Sequence, residues 1–370
     1  MDPATAFCPH LDGLARGQTG QDNLRIHSRK ARRFRYLECR QTFTATKGTA
    51  WYRLRTSAET VTLVVTLLAH GCPLQAIVVA FGFDERTGAA WLARAGQQGR
   101  AVQAYLVEQP RDLGHVQADA IRVKTPGGVV WLALAMMVRT RLWRAGEVRA
   151  PRDLPLIRCL LARVRAGALN RPLWCCTDGL AAYIRAMRAT CRDVVRTGKR
   201  GRPRCCPWQR IRMAPVVKRA AKRRVVEVER RIGHGSAAQV EPSRCRSPGD
   251  GVSNTASREP LNAPCRARLS ALTRRGRALA RQAHTRRHGM YWSGTVSHGC
   301  PPHERLRVAR AAASGGRLER PPAMAAGLTE QCWSVQELRS FQVSPHRWRP
   351  PTRRGRPSRA MQRLVARWCS

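Results

Sequence analysis

Charge limits this chain more than any other feature. Lys and Arg number 68 against 23 Asp and Glu, a net +45 over 370 residues. A surface this basic repels itself unless a polyanion neutralises it, and the usual polyanion is nucleic acid. An ordinary metabolic enzyme is excluded as the default. Only six of the 68 are Lys. The rest are Arg, whose planar fork suits bidentate phosphate and base contacts, although GC-rich coding sequence gives the same bias. Hydrophobic residues make up 43%, which excludes a disordered tail protein. The length fits two or three domains with a sizeable core.

The 14 Cys are spread thinly, whereas secreted disulfide scaffolds are short and Cys-dense. The opening Met1-Asp2-Pro3-Ala4 lacks the basic-then-apolar pattern of a signal peptide. Val61 to Phe83 is apolar and long enough to span a bilayer. His70-Gly71-Cys72-Pro73 interrupts it, so two short helices joined by a turn are expected there. The expected setting is a reducing cytosol and not a membrane.

Four regions follow. Residues 1–50 read as a polar, irregular, basic arm, with His27-Ser28-Arg29-Lys30-Ala31-Arg32-Arg33 flanked by Cys8-Pro9-His10 and Cys39. These Cys and His fit no standard zinc spacing, so bound zinc is not the expected reading. Residues 51–108 read as three short helices. Leu63, Val64, Leu67 and Leu68 recur at helix spacing in the first, and His70-Gly71 ends it. Pro73 to Phe81 forms the second and Gly82 breaks it. Asp84 caps the third, Glu85 to Gln98, with Trp91 and Leu92 inward and Arg86, Arg94 and Arg100 outward. That layout suits a helix-turn-helix whose last helix enters the major groove; a plain three-helix bundle has the same pattern.

Residues 109–310 alternate strands with helices. His115–Ile121, Val129–Val138 and Leu173–Thr177 read as strands, and Pro155–Arg165 and Leu180–Arg188 as helices. This is an α/β layer with a buried sheet. A strand is expected at Val225–Ile232 and helix from Asn254 to about Gln282. Residues 311–370 form a Pro- and Arg-rich basic tail, with a short helix at Val335–Phe341.

In a chain so poor in acids, two carboxylates on the strands of the α/β region stand out. Asp119 lies on the first strand, and Asp178 ends a later one before Gly179. Carboxylates gathered at strand ends offer the hard oxygen ligands of Mg²⁺, with positions left for phosphate and water. Two such ions clamp the attacking and leaving oxygens of phosphoryl transfer. An Asp before Gly after a strand serves equally as a turn residue.

Longer blocks carry a resemblance. They are Lys47-Gly48-Thr49-Ala50-Trp51-Tyr52-Arg53-Leu54-Arg55-Thr56, Ala80-Phe81-Gly82-Phe83-Asp84-Glu85-Arg86-Thr87, Gln117-Ala118-Asp119, Thr177-Asp178-Gly179-Leu180 and Asn254-Thr255-Ala256, followed by His288-Gly289-Met290-Tyr291 through Pro302-His303-Glu304-Arg305-Leu306-Arg307-Val308. In this order, from Cys8 to about Val308, the chain resembles the DDE transposases of bacterial insertion sequences, in the insertion-sequence-one-like branch. The resemblance implies an RNase H-like catalytic domain whose Asp, Asp and Glu hold two Mg²⁺, or Mn²⁺, ions. Residue by residue these fall on Asp119, Asp178 and Glu259. It also implies metal-dependent strand cleavage and joining at element ends by a homo-oligomer on DNA.

The chain departs from that family in two places. Most zinc-ribbon cysteines of the N-terminus are missing, leaving a degenerate ribbon. Pro260 follows Glu259 directly and Pro264 comes four residues later, where a helix interior loses an N–H and gains a clash. These departures describe a decayed copy that keeps fold and DNA affinity but loses catalysis. The alternative function is therefore a catalytically inactive, sequence-specific DNA-binding relic or repressor-like protein. Two Arg-Gly-Arg-Pro cores, with Arg200 and Arg202 in one and Arg354 and Arg356 in the other, suit a narrow minor groove or are solvated linker. Arg266 and Arg268 open an Arg-rich stretch expected to hold the DNA backbone.

Overall fold

Mixed α and β elements build the chain. The computed structural model describes residues 3–10, 16–20, 22–38, 40–125, 128–196, 203–221, 224–235, 283–309, 317–345 and 355–368. Two compact units contain them, Met1–Thr56 with Arg339–Ser370, and Ser57–Leu338.

The first unit differs from the expected irregular arm. Arg33-Phe34-Arg35-Tyr36 alternates basic and aromatic residues, the two-residue period of a half-buried strand. Strands β1 (Leu24–Ser28), β2 (Arg33–Tyr36) and β3 (Thr42–Thr44) form an antiparallel sheet in that order. Leu24, Phe34, Tyr36 and Phe43 bury one face against Ala6 and Cys8. The unit's C-terminal part holds a helix the Pro- and Arg-rich composition concealed, Arg359–Trp368. Ser358 Oγ caps it by accepting from the Met361 N–H at 3.3 Å. The short helix expected at Val335–Phe341 spans Val335–Ser340.

In the second unit the three expected helices are present as α1 (Ala58–Ala69), α2 (Leu74–Phe81) and α3 (Glu85–Val102). Their limits follow from local chemistry. Ser57 accepts from the Thr60 N–H and Asp84 from the Arg86 N–H. Gly82 adopts φ +68°, a left-handed stop that favours glycine. No helix among the described residues is long and apolar enough to cross a membrane. On α1, Val61, Val64, Val65 and Ala69 are covered, while Leu63 and Leu67 are exposed.

The α/β layer that follows contains β4 (His115–Thr125), β5 (Gly128–Met137), β6 (Trp143–Arg149), α4 (Leu154–Ala166), β7 (Leu173–Asp178), α5 (Ala181–Thr190), a hairpin of β8 (Arg192–Val195) and β9 (Arg204–Pro207), β10 (Ile211–Ala221) and β11 (Arg224–Arg230). Six strands form one mixed sheet in the order β11-β10-β7-β4-β5-β6. β4, β5 and β6 are an antiparallel meander; β7 then adds parallel to β4, β10 parallel to β7, and β11 antiparallel to β10. One face buries Val116, Ala118, Ala133 and Ala135 under Leu156, Leu160 and Ala186 of α4 and α5.

The opposite face, with Ile121, Leu134 and Val148, packs under Met290 and Tyr291 of α6 (Ala283–Gly299). Helix α6 also holds the three-helix segment. A Cβ on Gly96 would lie 2.4 Å from the Cα of His288, and one on Gly99 2.8 Å from the Tyr291 carbonyl oxygen, so these glycines allow α3 and α6 to touch backbone to backbone. Trp292 donates its indole N–H to the Val65 carbonyl at 2.8 Å. The neutral ring of His298, its pKa pushed down to about 3 by burial, accepts from the Trp143 N–H at 2.9 Å. The helix expected from Asn254 to Gln282 lies outside the described residues.

Candidate functional site

Chain direction in the sheet changes between β4 and β7. From β4 the chain runs outward through β5 and β6, and it returns to the other side of β4 to lay down β7, β10 and β11. Such a reversal point leaves a crevice at the strand ends, where open α/β sheets place their ligands. Pairing between β4 and β7 runs from His115↔Trp174 to Gln117↔Cys176 and stops there. β4 stays with β5 as far as Thr125, and β7 with β10 as far as Asp178.

Asp119 stands two residues past Gln117, and Asp178 two residues past Cys176. A strand alternates its side chains, so the two carboxylates project from the same face at the same level, on neighbouring central strands. The sequence placed both acids on strands, and the β4–β7 register, continued past its last pair at Gln117↔Cys176, sets them at equivalent positions on the two strands.

Asp178 is also a turn residue. Its Oδ1 accepts from the Leu180 N–H at 3.1 Å, and a Cβ on Gly179 would come within 2.7 Å of Val217 Cγ2. Its Oδ2 pairs with the guanidinium of Arg152, which lies 4.9 Å from the ring centroid of Trp131. Asp119 Oδ1 accepts from the Ala120 N–H at 2.7 Å.

Tyr183, in the first turn of α5, lies within electrostatic reach of both acids. Its side chain is fully buried, and its hydroxyl has no hydrogen-bond partner among the described residues. Burial first, then the charges of Asp178 and Asp119, push that phenol well above its ordinary range, against a smaller opposite pull from Arg152. The hydroxyl therefore stays protonated. Removing an unmet buried hydroxyl differs from cutting a made bond. Tyr183→Phe is expected to leave metal-free stability unchanged or to raise it by up to about 1 kcal/mol, read as the urea midpoint; a loss of that size would mean the hydroxyl is bonded.

The two carboxylates are hard oxygen donors, and Mg²⁺ typically takes one or two carboxylates and keeps several waters. The residues fit a hydrated Mg²⁺ or Mn²⁺ in that sense. Among the described residues no group of three or more His, Cys, Asp or Glu could hold a metal, and Glu259 lies outside them. Cys8 is buried in the N-terminal core and Cys39 lies outside the described residues.

Of the arginines expected at DNA, Arg86 is exposed in the first turn of α3 and Arg94 is half-buried on its flank. Arg356 is exposed, and Arg200, Arg202, Arg266, Arg268 and Arg354 lie outside the described residues. Sequence reading missed a further pair. Arg25 and Arg35 face each other directly across β1 and β2 and are both exposed. Like charges opposed in this way are destabilising, and a polyanion relieves them. The alternating pattern of β2 was the available signal. No protein-family model matches the chain, and no curated protein matches it.

Proposed function

We propose that the chain is a DNA transposase of the DDE type, built to cleave and join DNA strands at the ends of an insertion element. The observation that carries the reading is the equivalent register of Asp119 and Asp178 on neighbouring strands, two residues past the point where β4 and β7 part. An antiparallel meander extended by two parallel strands is also the layout of an RNase H-like sheet, and the net charge of +45 suits a DNA substrate. The metal, when bound, supplies charge neutralisation for the attacking and leaving oxygens of a phosphodiester. Asp119 and Asp178 would hold it, and Glu259 would complete the ligand set.

Helices α1 to α3 would serve as the helix-turn-helix. The second half of α3 is covered by α6, so base contacts would come from its first turn, where Arg86 stands; such helices read bases with their N-terminal residues. The second reading, a DNA-binding relic, is favoured by Pro260 and Pro264.

Thermal unfolding with divalent metal tests the site without requiring catalysis. Mutual repulsion of the two carboxylates is relieved by a cation that binds only the folded chain. Mn²⁺ at about 100 times its dissociation constant adds about 2.7 kcal/mol, a rise of roughly 5–10 °C for a unit this size. Asp119→Asn or Asp178→Asn should remove most of that rise. Asp112→Asn should not, because Asp112 sits half-exposed in a 3.7 Å pair with Arg171. Equal rises in all four proteins would place the cation elsewhere.

A further inference from the structure

Arg152 is the group in this crevice that the proposed reaction does not use. Its backbone is fixed at the start of α4, where the next residue, Asp153, caps the helix by accepting from the Leu156 N–H at 2.9 Å. From that fixed root the side chain crosses Trp131 and ends on Asp178. Both members of the ion pair are about three-quarters buried, so solvent screens the contact less than it screens a surface pair. The guanidinium thus ends on Asp178, and the buried Tyr183 hydroxyl, with no hydrogen-bond partner among the described residues, lies within electrostatic reach of both acids.

We infer that Arg152 is the resident counter-ion and positioning residue of the Asp119–Asp178 pair, holding Asp178 in place until a divalent cation displaces it. The inference rests on the metal-binding reading of the two carboxylates. Without a positive charge, two carboxylates on adjacent strands repel, and one of them tends to turn away. Arg152 supplies that charge within the chain. A dication and a guanidinium on the same carboxylate oxygen repel in turn, so they exclude each other. Trp131 gives the guanidinium a resting place on its ring face once Asp178 is taken. Binding of the cation is then an exchange, weakened by the strength of the Arg152 contact.

The test is a Mn²⁺ titration of the full chain followed by thermal unfolding. Arg152→Gln removes the competitor, so the Mn²⁺ concentration at half-maximal stabilisation is expected to fall about tenfold, equivalent to about 1.4 kcal/mol. Arg152→Lys keeps a competing charge and is expected to restore most of the wild-type midpoint, which a purely structural role would not do. If Arg152→Gln does not fold, Arg152→Met, which keeps an unbranched stem over Trp131, carries the same expectation. A wild-type response with an unchanged or higher midpoint in Arg152→Gln overturns the exchange and leaves the carboxylate reading standing. No response in wild type or Arg152→Gln overturns both, and so does a response that survives Asp178→Asn.

Discussion

Raising the salt from about 50 to 200 mM is expected to weaken DNA binding by roughly 10³–10⁵-fold, the loss for about six to ten phosphate contacts. Each Lys or Arg that neutralises a phosphate releases condensed counterions, and the log–log slope is about −0.9 per contact on duplex DNA. The excess of 68 basic over 23 acidic residues makes six contacts a modest demand. Arg25 and Arg35 add a local reason, since paired like charges on an exposed sheet face are relieved by a polyanion. Fluorescence anisotropy on a random duplex across that salt range measures the slope. A dissociation constant that barely moves would remove nucleic acid as the partner, whatever the fate of the acidic site.

How much of this was legible depended on whether the deciding contacts were local. Caps at Ser57 and Asp84 and the stop at Gly82 are local chemistry, and α1 to α3 lie where those residues put them. The buried face of α1 is not set locally, because its partner, Trp292 on α6, arrives more than two hundred residues later and seats itself on Val65. Leu63 and Leu67 are as apolar as the residues that won. β6 went unread because Trp143-Arg144-Ala145-Gly146-Glu147 does not alternate. Arg144 is buried there because its Nη2 donates to the Gly167 and Gln109 carbonyls, partners no sequence pattern announces. Asp119 and Asp178 were visible as rare acids on strands, but their adjacency depends on parallel pairing across a crossover. Arg152 was one arginine among many until Asp178 was found beside it.

The second large effect concerns chemistry. If the two carboxylates hold the metal for phosphoryl transfer, losing either is expected to lower strand cleavage by at least roughly 10²–10³-fold, the cost of one preorganised charge-stabilising group. The natural chain is expected to cleave slowly. Pro260 and Pro264 follow Glu259 in a stretch that the family resemblance reads as helix, proline in a helix interior costs about 3 kcal/mol, and a 1 Å misplacement costs about 100-fold in rate. Pro260→Arg with Pro264→Ala replaces both with helix formers and should raise cleavage by about that factor.

The most direct measurement is therefore Mg²⁺-dependent nicking of supercoiled DNA by the full chain, by the Pro260→Arg/Pro264→Ala chain, and by that chain carrying Asp119→Asn. The account predicts weak or undetectable nicking by the first, a clear metal-dependent rise in the second, and loss of that rise in the third. Nicking that does not rise with the double replacement, or that persists undiminished without the Asp119 carboxylate, would contradict it.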